Sequence, residues 1–176
     1  MSPLLGEPAP DFGDPLGLLA ACHGRMRGFC NLLERLPDWV DAQGVDAEAV
    51  AGMQRTLNYF DLAAPLHHAD EEEDLFPLLA ADAACAQLID RLRSEHRQLE
   101  QHWHTLATLL RGLQSGARVD GARLRDATTT FCSACRDHIA VEDERLLPAA
   151  HARLQAPQLA AMSEHMARRR RPADAQ

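Results

Sequence analysis

The sequence predicts an all-α protein, an up-down-up-down four-helix bundle with a short C-terminal helix. Three observations predict it. Alanine and leucine dominate a 46% apolar composition in which aromatics contribute only 5%, a mix that favours helices over strands. Apolar residues recur at helical spacing through most of the chain, and no window alternates convincingly with period two. Short polar turns with start and stop signals divide the chain into four long segments and one short one.

Residues 1–13 hold three prolines and two glycines and read as an extended arm. Asp14 before Pro15 is a helix start, a capping oxygen followed by proline at the first helical position. The first helix runs towards Gly44, with Leu19, Cys22, Met26, Phe29, Leu33 and Leu36 on its apolar stripe, and Pro37 can kink or end its core portion. Asp46 caps a second helix reaching about Ala81, and Pro65 and Pro77 inside it predict one long kinked helix. A third spans Ala83 to Gln114 and closes at Ser115-Gly116. Asp120 opens a fourth, which runs to about Leu154 with Pro148 in its later turns. Pro157 starts the short fifth helix, which ends in the run Arg168 to Arg171. The expected organisation is an arm (1–13), a bundle (14–155), and a short helix with a basic tail (156–176).

Composition narrows the function classes. All eighteen basic residues are arginine, so no lysine is available for a Schiff base or a phosphate loop. A formal charge of −8 argues against a nucleic-acid module, which would carry a basic face. The terminal arginine run reads as a solvated helix end whose cations complement the helix dipole. No 18-residue apolar stretch predicts a membrane span, and the acidic N-terminus does not resemble a secretory signal. Five cysteines make a poor disulfide framework, so a cytoplasmic setting is expected.

The strongest signal is a repeat. HHADEEEDLFP at 67–77 and HIAVEDERLLP at 138–148 align without gaps and share His-x-Ala-x-Glu. Each segment therefore sets a histidine and a glutamate four residues apart, on one helix face and one turn from each other. A fainter echo precedes each: His23 and His96 both follow a leucine by four residues, and they lie 44 and 42 residues before His67 and His138. Two similar helix pairs, facing each other across a pseudo-twofold axis, would converge six side chains on one centre. Imidazole with carboxylate suits iron or manganese. The expected metal ligands are His23, His67, His96 and His138 as terminal donors, with Glu71 and Glu142 bridging two cations.

Register in the second helix is less constrained, because His68 and Glu72 share the spacing of His67 and Glu71. Alignment on Pro77 and Pro148 selects the latter pair, and His68 becomes a residue behind the ligands or on the surface. Glu100, one turn past His96, is either an additional ligand or an outer neighbour. Cys132 and Cys135 precede His138 as a Cys-x-x-Cys, which reads as buried helix packing, with a zinc-stabilised scaffold as the competing reading. His102, His104, His151 and His165 read as rim or surface residues. Glu73, Asp74, Asp143 and Glu144 read as a solvated acidic face. Tyr59 reads as packing, with a hydrogen bond near the site as the alternative.

The pattern His…His-x-x-x-Glu…His…His-x-x-x-Glu resembles the hemerythrin-like HHE cation-binding family over about residues 15–155. The ending Met166-x-x-Arg169-Arg170 is similar to that of many members. The resemblance implies two iron ions bridged by two carboxylates and an oxo or hydroxo group, with manganese or zinc as alternatives. It implies a protein that binds or senses a small diatomic or peroxide ligand (O2, NO or peroxide), with weak catalase- or oxidase-like activity as one form that chemistry takes. A homodimer is compatible with it. The alternatives are an iron-storage or regulatory module without turnover and an iron donor of the cluster-repair type. Two departures bear on these. Oxygen-carrying members place a fifth histidine where this chain has Glu100, and the cluster-repair branch has a cysteine-containing extension where this chain has a short arm.

Overall fold

A computed structural model describes residues 12–171. The expected arm lies outside the described residues apart from Phe12 and Gly13, as does the end of the basic tail. Helix α1 spans Pro15–Gln43 and begins with the Gly17 amide donating to the Asp14 carboxylate at 2.9 Å. It continues through Pro37 and stops at Gly44, whose φ of 76° is a left-handed value that glycine adopts without a Cβ clash. Helix α2 covers residues 47–79 and starts with the Ala49 amide donating to Asp46. Helix α3 spans Ala83–Gln114, α4 covers residues 121–153, and α5 spans Ala156–Arg169. Among the described residues there is no strand.

The prolines inside α2 and α4 interrupt them in a specific way. Each helix continues as a helix, but π-helical turns form at Tyr59–Ala63, Asp70–Leu75 and Glu142–Leu146. Every one ends just ahead of a residue–proline pair: Ala64-Pro65, Phe76-Pro77 and Leu147-Pro148. Proline lacks the amide hydrogen for the i→i−4 bond and its ring collides with that carbonyl, and a widened turn relieves both. Two of the three wide turns contain Glu71 and Glu142. Sequence chemistry at 77 and 148 thus shapes the backbone that carries the two glutamates.

Helix α1 packs on α2 and α4, and α3 packs on the same two, as an antiparallel bundle with short connections requires. The apolar interior divides into two clusters. One includes Met26, Leu33, Phe60, Trp103, Phe131 and Ile139. The other includes Leu19, Leu75, Phe76, Leu92, Leu146 and, from α5, Met162 and Met166. Expected ligands fall between them along the helices: His23 between Leu19 and Met26, His96 between Leu92 and Leu99. A polar layer is sandwiched between two apolar ones.

The arginine run that ends α5 is solvated only in part: Arg168 and Arg171 are exposed as the sequence predicts, whereas Arg169 and Arg170 turn inward. Arg169 donates to Asp70 at 2.8 Å and to Asp74 at 2.5 Å, and Arg170 donates to Asp70 at 2.5 Å. His165 adds a contact with Asp74 at 2.8 Å. Asp70 and Asp74 are buried, not part of a solvated face, and they need these cations to compensate their desolvation. No helix among the described residues is long and apolar enough to cross a membrane.

Candidate metal centre

The structure brings all six sequence-predicted residues into the polar layer. His23, Glu71 and Glu142 are 0% exposed, and His67, His96 and His138 are buried. One ring nitrogen or carboxylate oxygen each from His23, His67, Glu71 and Glu142 lies within 4.8 Å of the others. A second such group comprises His68, His96 and His138. The i,i+4 spacing places His67 Nε2 3.5 Å from Glu71 and His138 Nε2 3.1 Å from Glu142.

Each carboxylate divides its oxygens between the two imidazole pairs. Glu71 turns Oε1 towards His23 and His67, at 3.9 and 3.5 Å, and Oε2 towards His96 at 3.5 Å. Glu142 turns Oε2 towards His23 at 3.2 Å and Oε1 towards His96 and His138, at 3.6 and 3.1 Å. All four oxygens are nonetheless without a formed hydrogen bond, and so are the Nε2 atoms of His96 and His138. Unsatisfied buried carboxylates cost several kcal/mol or more in an apolar core. Cations between the carboxylates and the imidazoles would supply the missing partners, so the donor set fits such ions.

Outside this ring a set of carboxylates aims the imidazoles. His23 Nδ1 donates to Asp143 at 2.6 Å, His96 Nδ1 to Glu72 at 2.6 Å, and His138 Nδ1 to Glu95 at 3.0 Å. Holding Nδ1 leaves Nε2 facing inward, the arrangement that fixes tautomer and ring orientation at metal sites. Two of the three contacts join the halves of the repeat: Glu72 follows Glu71 but clamps a histidine of the other half, and Asp143 follows Glu142 and does the same. Sequence reasoning assigned Asp143 to a solvated face. Arg27 donates to its second oxygen at 2.5 Å, and together these contacts recruit it into the site. The equivalence of Glu72 and Asp143 in the repeat was the signal available for this role.

The electrostatics follow from the burial of four imidazoles with two carboxylates. Burial opposes a charge on His23, but Glu142 and Glu71 outweigh it and lift its pKa to about 10. His96 rises to about 10 by the same contest, and His138 rises under Glu142. Burial and Glu142 push Glu71 up, but His67, His23 and His96 win and hold it at about 2. His67, with desolvation dominant, is pushed down.

A cavity of about 510 Å³ opens onto one side of this layer. His68, His96 and His138 border it, whereas His23 and His67 do not. Its apolar walls include Met26, Phe60, Trp103 and Phe131. Glu100 stands in the cavity wall and belongs to neither donor group. His104 lies at the wall also. Cys132 and Cys135 are buried on α4 and join neither donor group, so no cluster for the zinc scaffold forms among the described residues. Tyr59 packs on Phe29 and Phe60 and donates to the Cys22 carbonyl at 3.2 Å, next to His23.

The chain is similar to a known family and to a known protein. The family model described as Hemerythrin HHE cation binding domain matches residues 14–150. A protein of Haemophilus influenzae, described only as uncharacterized, is 36% identical over 160 residues, covering 90% of this chain and 91% of its own length.

Proposed function

The chain belongs to the hemerythrin HHE cation-binding family, and from that premise we propose that it is a non-haem di-iron protein binding a small ligand such as dioxygen, nitric oxide or peroxide. His23 and His67 hold one ion, His96 and His138 the other, and Glu71 and Glu142 lie between them. The observation that carries this is the set of four buried carboxylate oxygens, divided between two imidazole pairs and lacking hydrogen bonds. Imidazole and carboxylate donors suit iron, and manganese or zinc could use the same set.

Iron in such a site supplies redox chemistry and coordination positions open to a diatomic molecule or peroxide. The residues of this chain do the rest. Glu71 and Glu142 offset the ionic charge. Asp143, Glu72 and Glu95 keep the imidazoles aimed. Phe60, Trp103 and Phe131 in the cavity wall limit water near the centre while leaving room for a small molecule. Catalase- or oxidase-like turnover is one form this chemistry could take.

A second reading, a regulatory or storage module without turnover, draws support from the α5 contacts. Asp70 sits between His67 and Glu71, so the helix that binds it is tied to the ligand-bearing segment. The two readings separate on iron reconstitution followed by visible spectroscopy. Two ions per chain, with a charge-transfer spectrum that changes on adding azide, nitric oxide or peroxide, is the expected result. Two ions with no ligand response favour the storage module, and no bound iron defeats both.

A further inference from the structure

Three of the five cysteines meet at one place in the core, outside the imidazole layer. Cys30 on α1 and Cys132 and Cys135 on α4 lie in the same apolar cluster, whereas Cys85 packs in the other. Cys132 Sγ donates to the Cys30 carbonyl at 3.7 Å across the contact between the two helices. The thiols of Cys132 and Cys135 both hydrogen-bond to that of Cys30. Packing accounts for a small side chain at each position, but not for three sulfurs converging on one point. We propose that Cys30 and Cys135 form a reversible disulfide when hydrogen peroxide enters the adjoining cavity, which makes the pair a peroxide-responsive modification site.

Access selects the pair. Cys135 is a wall residue of the 510 Å³ cavity, and so is Met26, one turn before Cys30 on α1. Neither Cys30 nor Cys132 borders it. Hydrogen peroxide, little larger than water, therefore reaches Cys135 without unfolding the bundle. Cys132 is fully enclosed and commits its hydrogen to a backbone carbonyl, which leaves Cys135 as the partner of Cys30. Electrostatics favours the same site. Two thiols donating towards Cys30 stabilise its thiolate and pull it well below the usual thiol range in spite of burial, and the thiolate is the attacking form of cysteine.

The reaction balances with peroxide as the sole oxidant. The sulfur that is struck first takes one peroxide oxygen as a sulfenic acid, the O–O bond breaks, and the other oxygen leaves as water with that thiol's hydrogen. The second sulfur displaces the hydroxyl as another water, and its own hydrogen leaves with it. Two thiols and one peroxide thus give one disulfide and two waters. Cys30 lies two turns after His23 on α1, and Cys135 lies one turn before His138 on α4. The bond would pin together two helices that carry expected ligands, as a covalent record of peroxide exposure. It rests on the thiols and the cavity, not on occupancy of the metal centre.

The test treats full-length protein, as isolated and after metal removal by chelation, with a small excess of hydrogen peroxide. Free thiols would be counted after denaturation, the linked peptides mapped by mass spectrometry, and helix content followed by circular dichroism. The expected result in both preparations is the loss of two of the five thiols and of two hydrogens in mass, with Cys30 joined to Cys135 and all five thiols restored by dithiothreitol. Cys132→Ser should still form the bond. Cys30→Ser and Cys30→Ala, either of which suffices if the other fails to fold, should lose thiols at least ~10-fold more slowly. Five thiols surviving in wild type, a Cys30–Cys132 link, oxidation that dithiothreitol does not reverse, or a bond that forms only with metal present would overturn the proposal. Elemental analysis of the untreated protein tests the metal centre separately, so the two readings fail independently.

Discussion

Asp143 accepts a hydrogen bond from His23 at 2.6 Å, joining residues 120 positions apart in the chain. The contact ties α1 to the wide turn of α4 that also carries Glu142, so one segment both turns a buried carboxylate inward and aims the imidazole opposite. Arg27 holds the other oxygen of Asp143 at 2.5 Å and restricts the carboxylate to that orientation.

Asp143→Ala should therefore weaken the ion on the His23 side by about 10- to 100-fold and leave the His96 side largely intact. Competition with a chromophoric chelator reads the two affinities separately. If both are unchanged, the contact is incidental to metal binding.

The proposed terminal and bridging roles predict different losses. His67→Ala should reduce bound metal to about one ion per chain, because it removes a donor from one ion only. Glu142→Ala should release both, since its oxygens face both imidazole pairs. Elemental analysis after gel filtration decides it, and retention of two ions in both variants would sink the ligand assignment.

The α5 contacts carry stability. Asp70 is fully buried against Arg169 and Arg170. Replacing both arginines by alanine would leave that charge uncompensated, a loss of roughly 3–5 kcal/mol where a buried pair is broken. Denaturant unfolding of the metal-free double variant measures this. A change of a few tenths would mean that solvent already screens the pair.

Proton linkage gives a signed pH dependence. In the metal-free protein His23 and His96 are raised to about 10 from an ordinary 6.5, so their contribution to stability is complete below 6.5 and lost as pH rises through 10. Glu71 is depressed to about 2 from 4.5, so its contribution is complete above 4.5 and lost as pH falls through 2. The metal-free melting temperature should peak between those limits and decline towards alkaline pH. Loading a cation at pH 8 should release protons from His23 and His96, observable with an indicator dye in weak buffer. Absence of proton release would show that these imidazoles are already neutral.

Much of the fold was legible because it is written in local chemistry. The caps at Asp14, Asp46 and Asp120, and the stop at Gly44, act within a few residues of where they stand. The grouping of His23, His67, Glu71, His96, His138 and Glu142 was legible because the chain states it twice, at helical spacing. Pro77 and Pro148 announced an interruption, though the form it takes, a widened turn at Glu71 and at Glu142, needed the backbone.

The sequence by itself determined the bundle, the repeat and the six residues that meet, since periodicity and spacing along one helix fix which side chains share a face. Only the tertiary structure decided what those residues meet. Asp143, Glu72 and Glu95 clamp histidines on other helices, Asp70 and Asp74 bury themselves against α5, and His68 reaches across to His96. Contacts between elements depend on rotation and offset of one helix against another. A charge followed along its own helix carries no mark of whether water or a partner will cover it.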